Sequence, residues 1–77
     1  MSVEKLRRTV LYLREVYPKI GVEEKGNIYT LKEVRRAIIQ EIGTDERCIK
    51  GNIKKLIEIG FLKRLNLHQF RDEGLTY

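Results

Sequence analysis

The chain has 77 residues, 42% hydrophobic and 35% charged, with 16 Lys and Arg against 11 Asp and Glu for a formal charge of +5. That length allows one domain spanning residues 1–77 with a single core, and it leaves little volume for a deep enzyme pocket. The charge favours a polyanionic partner such as nucleic acid, although on its own it equally describes a solvated surface.

Cys48 is the single cysteine, so no intramolecular disulfide can form. No apolar run reaches the roughly 18 residues of a membrane span, and the N-terminus has no signal-peptide apolar stretch. The expectation is a soluble cytoplasmic protein without membrane contact. Abundant Ile, Glu, Lys and Arg beside scarce Asn, Gln, Met and Cys lean towards a thermophilic source.

Ser2 can cap a first helix that ends before Pro18, with Val3, Leu6, Val10, Leu13 and Tyr17 on one apolar stripe. Residues 18–27 read as a loop punctuated by Pro and two Gly. Ile28-Tyr29 is a very short extended segment. Thr30 to Glu33 then has the form of a capping box, opening a helix with Leu31, Val34, Ile38 and Ile42 inward and Ala37 beside them. Gly43 is placed to stop it in the left-handed conformation.

Thr44 or Asp45 can cap a third helix, with Asp45 and Glu46 near the positive end of its dipole. Ile49, Ile53, Leu56 and Ile57 make its buried stripe, and Gly60 closes it. Residues 61–67 alternate as a strand covered in part on one side. Asp72-Glu73-Gly74 reads as a three-residue hairpin loop, with Gly74 left-handed and the chain returning as Leu75-Thr76-Tyr77. The order is helix, strand, helix, helix, strand, strand: an α+β, mainly α fold.

At 100° per residue the third helix separates into two faces. Ile49, Ile53, Leu56 and Gly60 share one, with Ile57 at its edge. Arg47, Lys50, Gly51, Lys54, Lys55 and Glu58 share the other. Arg and Lys suit guanine acceptors and phosphate oxygens, which need donors or positive charge. Gly51 inside a helix costs about 1 kcal/mol relative to Ala. It either lets a partner approach the backbone closely or is merely tolerated. Asp45, Glu46 and Glu58 are read as capping and ion-pair residues rather than as groups that repel phosphate.

Two helices joined by a Gly-containing turn form the helix-turn-helix layout. The run Asn52-Ile-Lys-Lys-Leu-Ile-Glu-Ile-Gly-Phe-Leu-Lys-Arg-Leu resembles the end of a recognition helix, a Gly stop and the first wing strand of winged helix-turn-helix domains. Such domains are common in small prokaryotic and archaeal transcription regulators, and the resemblance covers nearly the whole chain. It implies three helices with a small antiparallel β-hairpin wing, and a strand opened by Phe61 and Leu62 that pairs with Ile28-Tyr29. It further implies a non-enzymatic, sequence-specific regulator that places its third helix in the major groove of double-stranded DNA. Thr44, Arg47, Lys50, Lys54 and Lys55 would face that DNA, with Arg71 near a wing tip made acidic by Asp72 and Glu73.

A homodimer through the first helix or the terminal strand is a candidate assembly. A winged-helix protein-interaction module and a small RNA-binding protein are the alternatives. No cofactor, metal or small-molecule effector is expected. His68 has no ligand partner at metal spacing, Cys48 reads as a small buried filler, and no catalytic set or Gly-rich phosphate loop is present.

Overall fold

The computed structural model describes residues 3–18 and 26–75. Its elements are α1 (Val3–Val16), β1 (Ile28–Thr30), α2 (Leu31–Glu41), α3 (Glu46–Glu58), β2 (Leu62–Asn66) and β3 (Gln69–Asp72). The three strands form one antiparallel sheet in the order β1-β3-β2. The fold is α+β and mainly helical, in the expected element order and consistent with a winged-helix arrangement. The Ser2 cap, loop residues 19–25 and the Thr76-Tyr77 return lie outside the described residues.

Each described helix start has an identifiable chemical cause. The Thr30 side chain accepts from the Glu33 backbone N–H, and the Glu33 carboxylate accepts from the Thr30 N–H at 2.8 Å, so the capping box is complete. For α3 the cap is Asp45, not Thr44: its carboxylate accepts from the Arg47 N–H at 3.0 Å.

The helix ends differ. Gly60 takes φ 86°, the Phe61 N–H reaches the Leu56 carbonyl at 3.0 Å, and the Gly60 N–H reaches that of Ile57 at 3.1 Å. That pattern is a Schellman stop. It turns the fully buried Phe61 back over the equally buried Leu56. Gly43 does not adopt the left-handed conformation expected of it. The positive-φ glycines among the described residues are Gly26, Gly60 and Gly74. Instead the Ile42 and Gly43 amides both donate to the Ile38 carbonyl, closing α2 without a left-handed residue.

The core joins Leu6, Val10 and Leu13 of α1, Val34, Ala37 and Ile38 of α2, and Ile49, Ile53 and Leu56 of α3 to Tyr29, Phe61, Leu62 and Phe70. Burying each large side chain stabilises the fold by about 1.5–3 kcal/mol. Two expectations for the stripes need correction. Val3 is exposed, and Thr9 takes the buried place, its hydroxyl donating to the Lys5 carbonyl at 2.9 Å. Asn52 is also buried on α3, its amide donating to the Cys48 carbonyl at 2.7 Å. Cys48 itself is half-buried rather than enclosed.

The hairpin departs most from expectation. It turns at Leu67-His68, where the Asn66 carboxamide oxygen accepts from the His68 N–H at 2.8 Å. A side-chain turn of this kind replaces the backbone turn expected at residues 72–74. Phe70 and Asp72 alternate inward along β3, so Asp72 lies fully buried rather than at a tip. There it receives Nε and Nη2 of Arg14 at 2.7 and 2.9 Å, fastening α1 to the sheet. Gly74 is left-handed as expected, but its N–H donates to the Asp72 carboxylate in a separate turn after β3. The strand that pairs with β1 is β3, with Tyr29 opposite Phe70, and not the one opened by Phe61 and Leu62.

Candidate nucleic-acid interface

The turn from Gly43 to Asp45 sets α3 against α2, and an ion pair fixes the two helices. Arg35 of α2 grips Glu46 of α3 with two hydrogen bonds of 2.7 and 2.8 Å. The guanidinium holds the Glu46 carboxyl below its ordinary value, and Lys50 adds to that pull. Glu46 raises the Arg35 value in return. The Glu46 carboxylate in the first turn of α3 is therefore paired with a guanidinium at close range, while the capping Asp45 carboxylate is engaged by the Arg47 N–H.

With Ile49, Asn52, Ile53 and Leu56 turned inward, the opposite side of α3 faces solvent. Arg47, Lys50 and Lys54 are exposed, and Thr44 is exposed in the preceding turn. Lys54 stands 3.9 Å from Glu58 with 78% of its side chain accessible, so that pair is loose. Lys55 is half-buried at the edge of the same face. A Cβ added at Gly51 would meet nothing within 4 Å. Internal packing therefore does not require glycine there, and the space over its Cα is open.

The structure separates Arg71 from this set. Arg71 sits on β3 in register with Ile28 and Lys63, on the sheet face opposite buried Phe70 and Asp72, and it pairs with Glu73 at 3.1 Å. It belongs to neither the turn nor the α3 surface, because strand alternation points it away from the helices.

Two arginines that the sequence pattern did not single out join the α3 face instead. Arg64 of β2 lies over the Phe70 ring, 5.5 Å from its centroid, which fixes the guanidinium against the sheet. With Arg35 and Leu31 of α2 it lines a groove of about 400 Å³ whose α3 wall is Lys50, Ile53, Lys54 and Ile57. The clue to Arg64 was its alternation with Leu62, which is buried and places both side chains on the helix-facing side. The clue to Arg35 lay only in its contact with Glu46.

The assembled surface offers guanidinium and ammonium donors along one helix face and up one wall of the hairpin. Such a surface matches a linear array of anionic acceptors. Among the described residues no helix is long and apolar enough to cross a membrane. Comparisons of the chain with protein-family models, with curated proteins and with solved structures find no match.

Proposed function

We propose that this domain binds double-stranded DNA, laying α3 in the major groove with the β2 side of the wing alongside the backbone. The observation that carries the reading is the two-sided character of α3. One side is packed into the core, while the other presents Arg47, Lys50 and Lys54 to solvent, with Asp45 engaged as the helix cap, Glu46 held by Arg35 and Glu58 a loose partner of Lys54. Thr44 and Lys55 flank that side, and Gly51 leaves room for close backbone approach. Arg64 extends it into the groove beside the hairpin, whose α2 wall includes Arg35 held by Glu46. In this reading Lys50, Lys54 and Arg64 hold phosphates, while Arg47, near the helix start, reads a base edge. The protein acts as a non-enzymatic regulator of transcription in the cytoplasm, and a homodimer on a two-fold symmetric site is its assembly.

The test is the affinity for duplex DNA and duplex RNA across a salt series, followed by fluorescence anisotropy. Tight binding should favour DNA and weaken linearly in log salt, with a slope of about −0.9 per phosphate contact. Lys50→Ala and Lys54→Ala should each reduce that slope by about one contact. Arg47→Ala should cost about 1–3 kcal/mol on the preferred sequence and less on random duplex. A flat salt response, or unchanged affinity when all three are replaced together, would overturn the reading.

A further inference from the structure

A second groove lies on the other side of the ridge formed by Leu31 and Arg35, and no residue of α3 lines it. Its volume is about 850 Å³, within the range of sites that hold ligands. Leu31 and Ile39 of α2 supply an apolar floor, and Ile39 is 42% exposed although nothing in the core requires it at the surface. Lys32 and Arg36, one helical turn apart, line the same groove. Its far wall is His68 and Gln69 of the hairpin turn. Leu67 in that turn is, at 70%, the most exposed large apolar side chain among the described residues.

The charge of this groove has one sign. No Asp or Glu lines it. Glu33, which shares a separate small groove with Lys32 and Arg36, gives Oε1 to the capping box, and Arg35 is held by Glu46. Lys32 and Arg36 make no ion pair among the described residues. The walls are also fixed in advance. The Leu31 N–H donates to the His68 carbonyl at 2.8 Å, tying the hairpin turn to the first residue of α2. Asn66 further holds Gln69 at 2.9 Å. A partner would not have to order these walls as it binds.

From the apolar floor, the cationic rim and the fixed walls, we infer that this groove docks a segment of a partner protein carrying a large apolar side chain flanked by carboxylates. The apolar side chain lies on Leu31 and Ile39, and the carboxylates meet Lys32 and Arg36. A nucleic-acid backbone fits less well. It has no apolar group to cover Ile39, and the groove has no aromatic ring other than the His68 imidazole for a base to stack on. The protein would thus join two partners on adjacent faces, one through α3 and one through α2.

The experiment titrates the isotope-labelled intact protein with a short synthetic peptide of alternating Leu and Glu. Two controls replace Leu by Ser or Glu by Lys, and a duplex DNA is titrated separately. The acidic leucine peptide should shift the amides of Leu31, Ile39 and Gln69, and each control peptide should bind at least roughly tenfold more weakly. Ile39→Ser, at an exposed position, and the charge reversal Lys32→Glu should each weaken the peptide without changing duplex affinity. Lys50→Ala should do the opposite, so failure here is separable from failure of the duplex reading. Equal binding of the Ser-for-Leu peptide, shifts confined to α3, or duplex DNA moving the Ile39 and Gln69 amides when the peptide does not would overturn the inference.

Discussion

The α2–α3 pair and the β2–β3 hairpin are held by interactions of very different range. Each helix of the pair starts on a side chain only a few residues from the amide it caps, Thr30 for α2 and Asp45 for α3, and α3 stops on Gly60. The hairpin is positioned from far away in sequence. Asp72 is anchored by Arg14, 58 residues earlier, and the His68 carbonyl is held by the Leu31 amide. The lesson is that the helical pair is specified by local chemistry, while the sheet depends on the whole chain having assembled. Damage to the two should therefore differ in size.

The largest effect is expected at the long-range anchor. Asp72→Ala leaves Arg14, whose side chain is 10% exposed, without its bidentate partner. Breaking such a pair costs about 3–5 kcal/mol, a large share of a stability on the order of 4–12 kcal/mol for a chain this size. Urea unfolding measures the loss directly. Replacing Arg14 and Asp72 together by Leu should cost much less, since no buried charge is then left alone. If the single and double variants are equally destabilised, the pair is not the anchor.

Next in size is the helix stop. Gly60→Ala forces a Cβ into left-handed backbone and should cost about 1–2 kcal/mol. Gly43→Ala should stay within about 0.5 kcal/mol, because its Cβ would meet only Cys48 Sγ at an ordinary 3.8 Å. Thermal melts of the two variants, side by side, separate a glycine that the backbone needs from one that it does not. Thr30→Ala, which removes one half of the capping box, should cost about 1 kcal/mol in urea unfolding and should leave the hairpin amides in place.

The smallest effect is a dependence on pH. The Glu46 carboxyl titrates below its ordinary value of 4.5 because Arg35 hydrogen-bonds it. The folded state therefore holds this proton less tightly than the unfolded chain. Its stabilising contribution is present above the unfolded value and is lost as pH falls through the folded one. Melting temperatures of Glu46→Gln should fall less on acidification below pH 4.5 than those of the native chain. Identical acid limbs would show that the staple between the helices carries no weight in solution.

The same division explains what could be read from the sequence. The helix caps, the apolar stripes of α2 and α3 and the Gly60 stop rest on contacts within a turn or two, and the residue pattern states them openly. So does the exposure of Arg47, Lys50 and Lys54, which follows once Ile49, Ile53 and Leu56 point inward. Asp-Glu-Gly at residues 72–74 carries a strong turn signature and points to a hairpin turn there. The actual turn uses Asn66 on a Leu-His pair, a weaker local signal. Asp72 looked like surface charge because its partner lies 58 residues away. A turn at 72–74 would bring Arg71 to its tip, whereas the turn at Leu67-His68 puts Arg71 within β3, on the face turned from the helices. Arg64 is signalled only by its alternation with Leu62, and Arg35 only by the groove in which α2, α3 and β2 meet.

The bond between Arg14 and Asp72 also sets an order of events during synthesis. At about 5–20 residues per second, roughly 3–12 s separate the emergence of the two side chains from the ribosome. Through that interval α1 can coil, but the Asp72 carboxylate that ties it to the sheet has not yet been made. The tie between α1 and the sheet is thus closed late, after the packing of α1 on α2 has become available. A chain cut or stalled ahead of residue 72 would hold α1 through its packing against α2 alone, without the bond that ties it to the sheet.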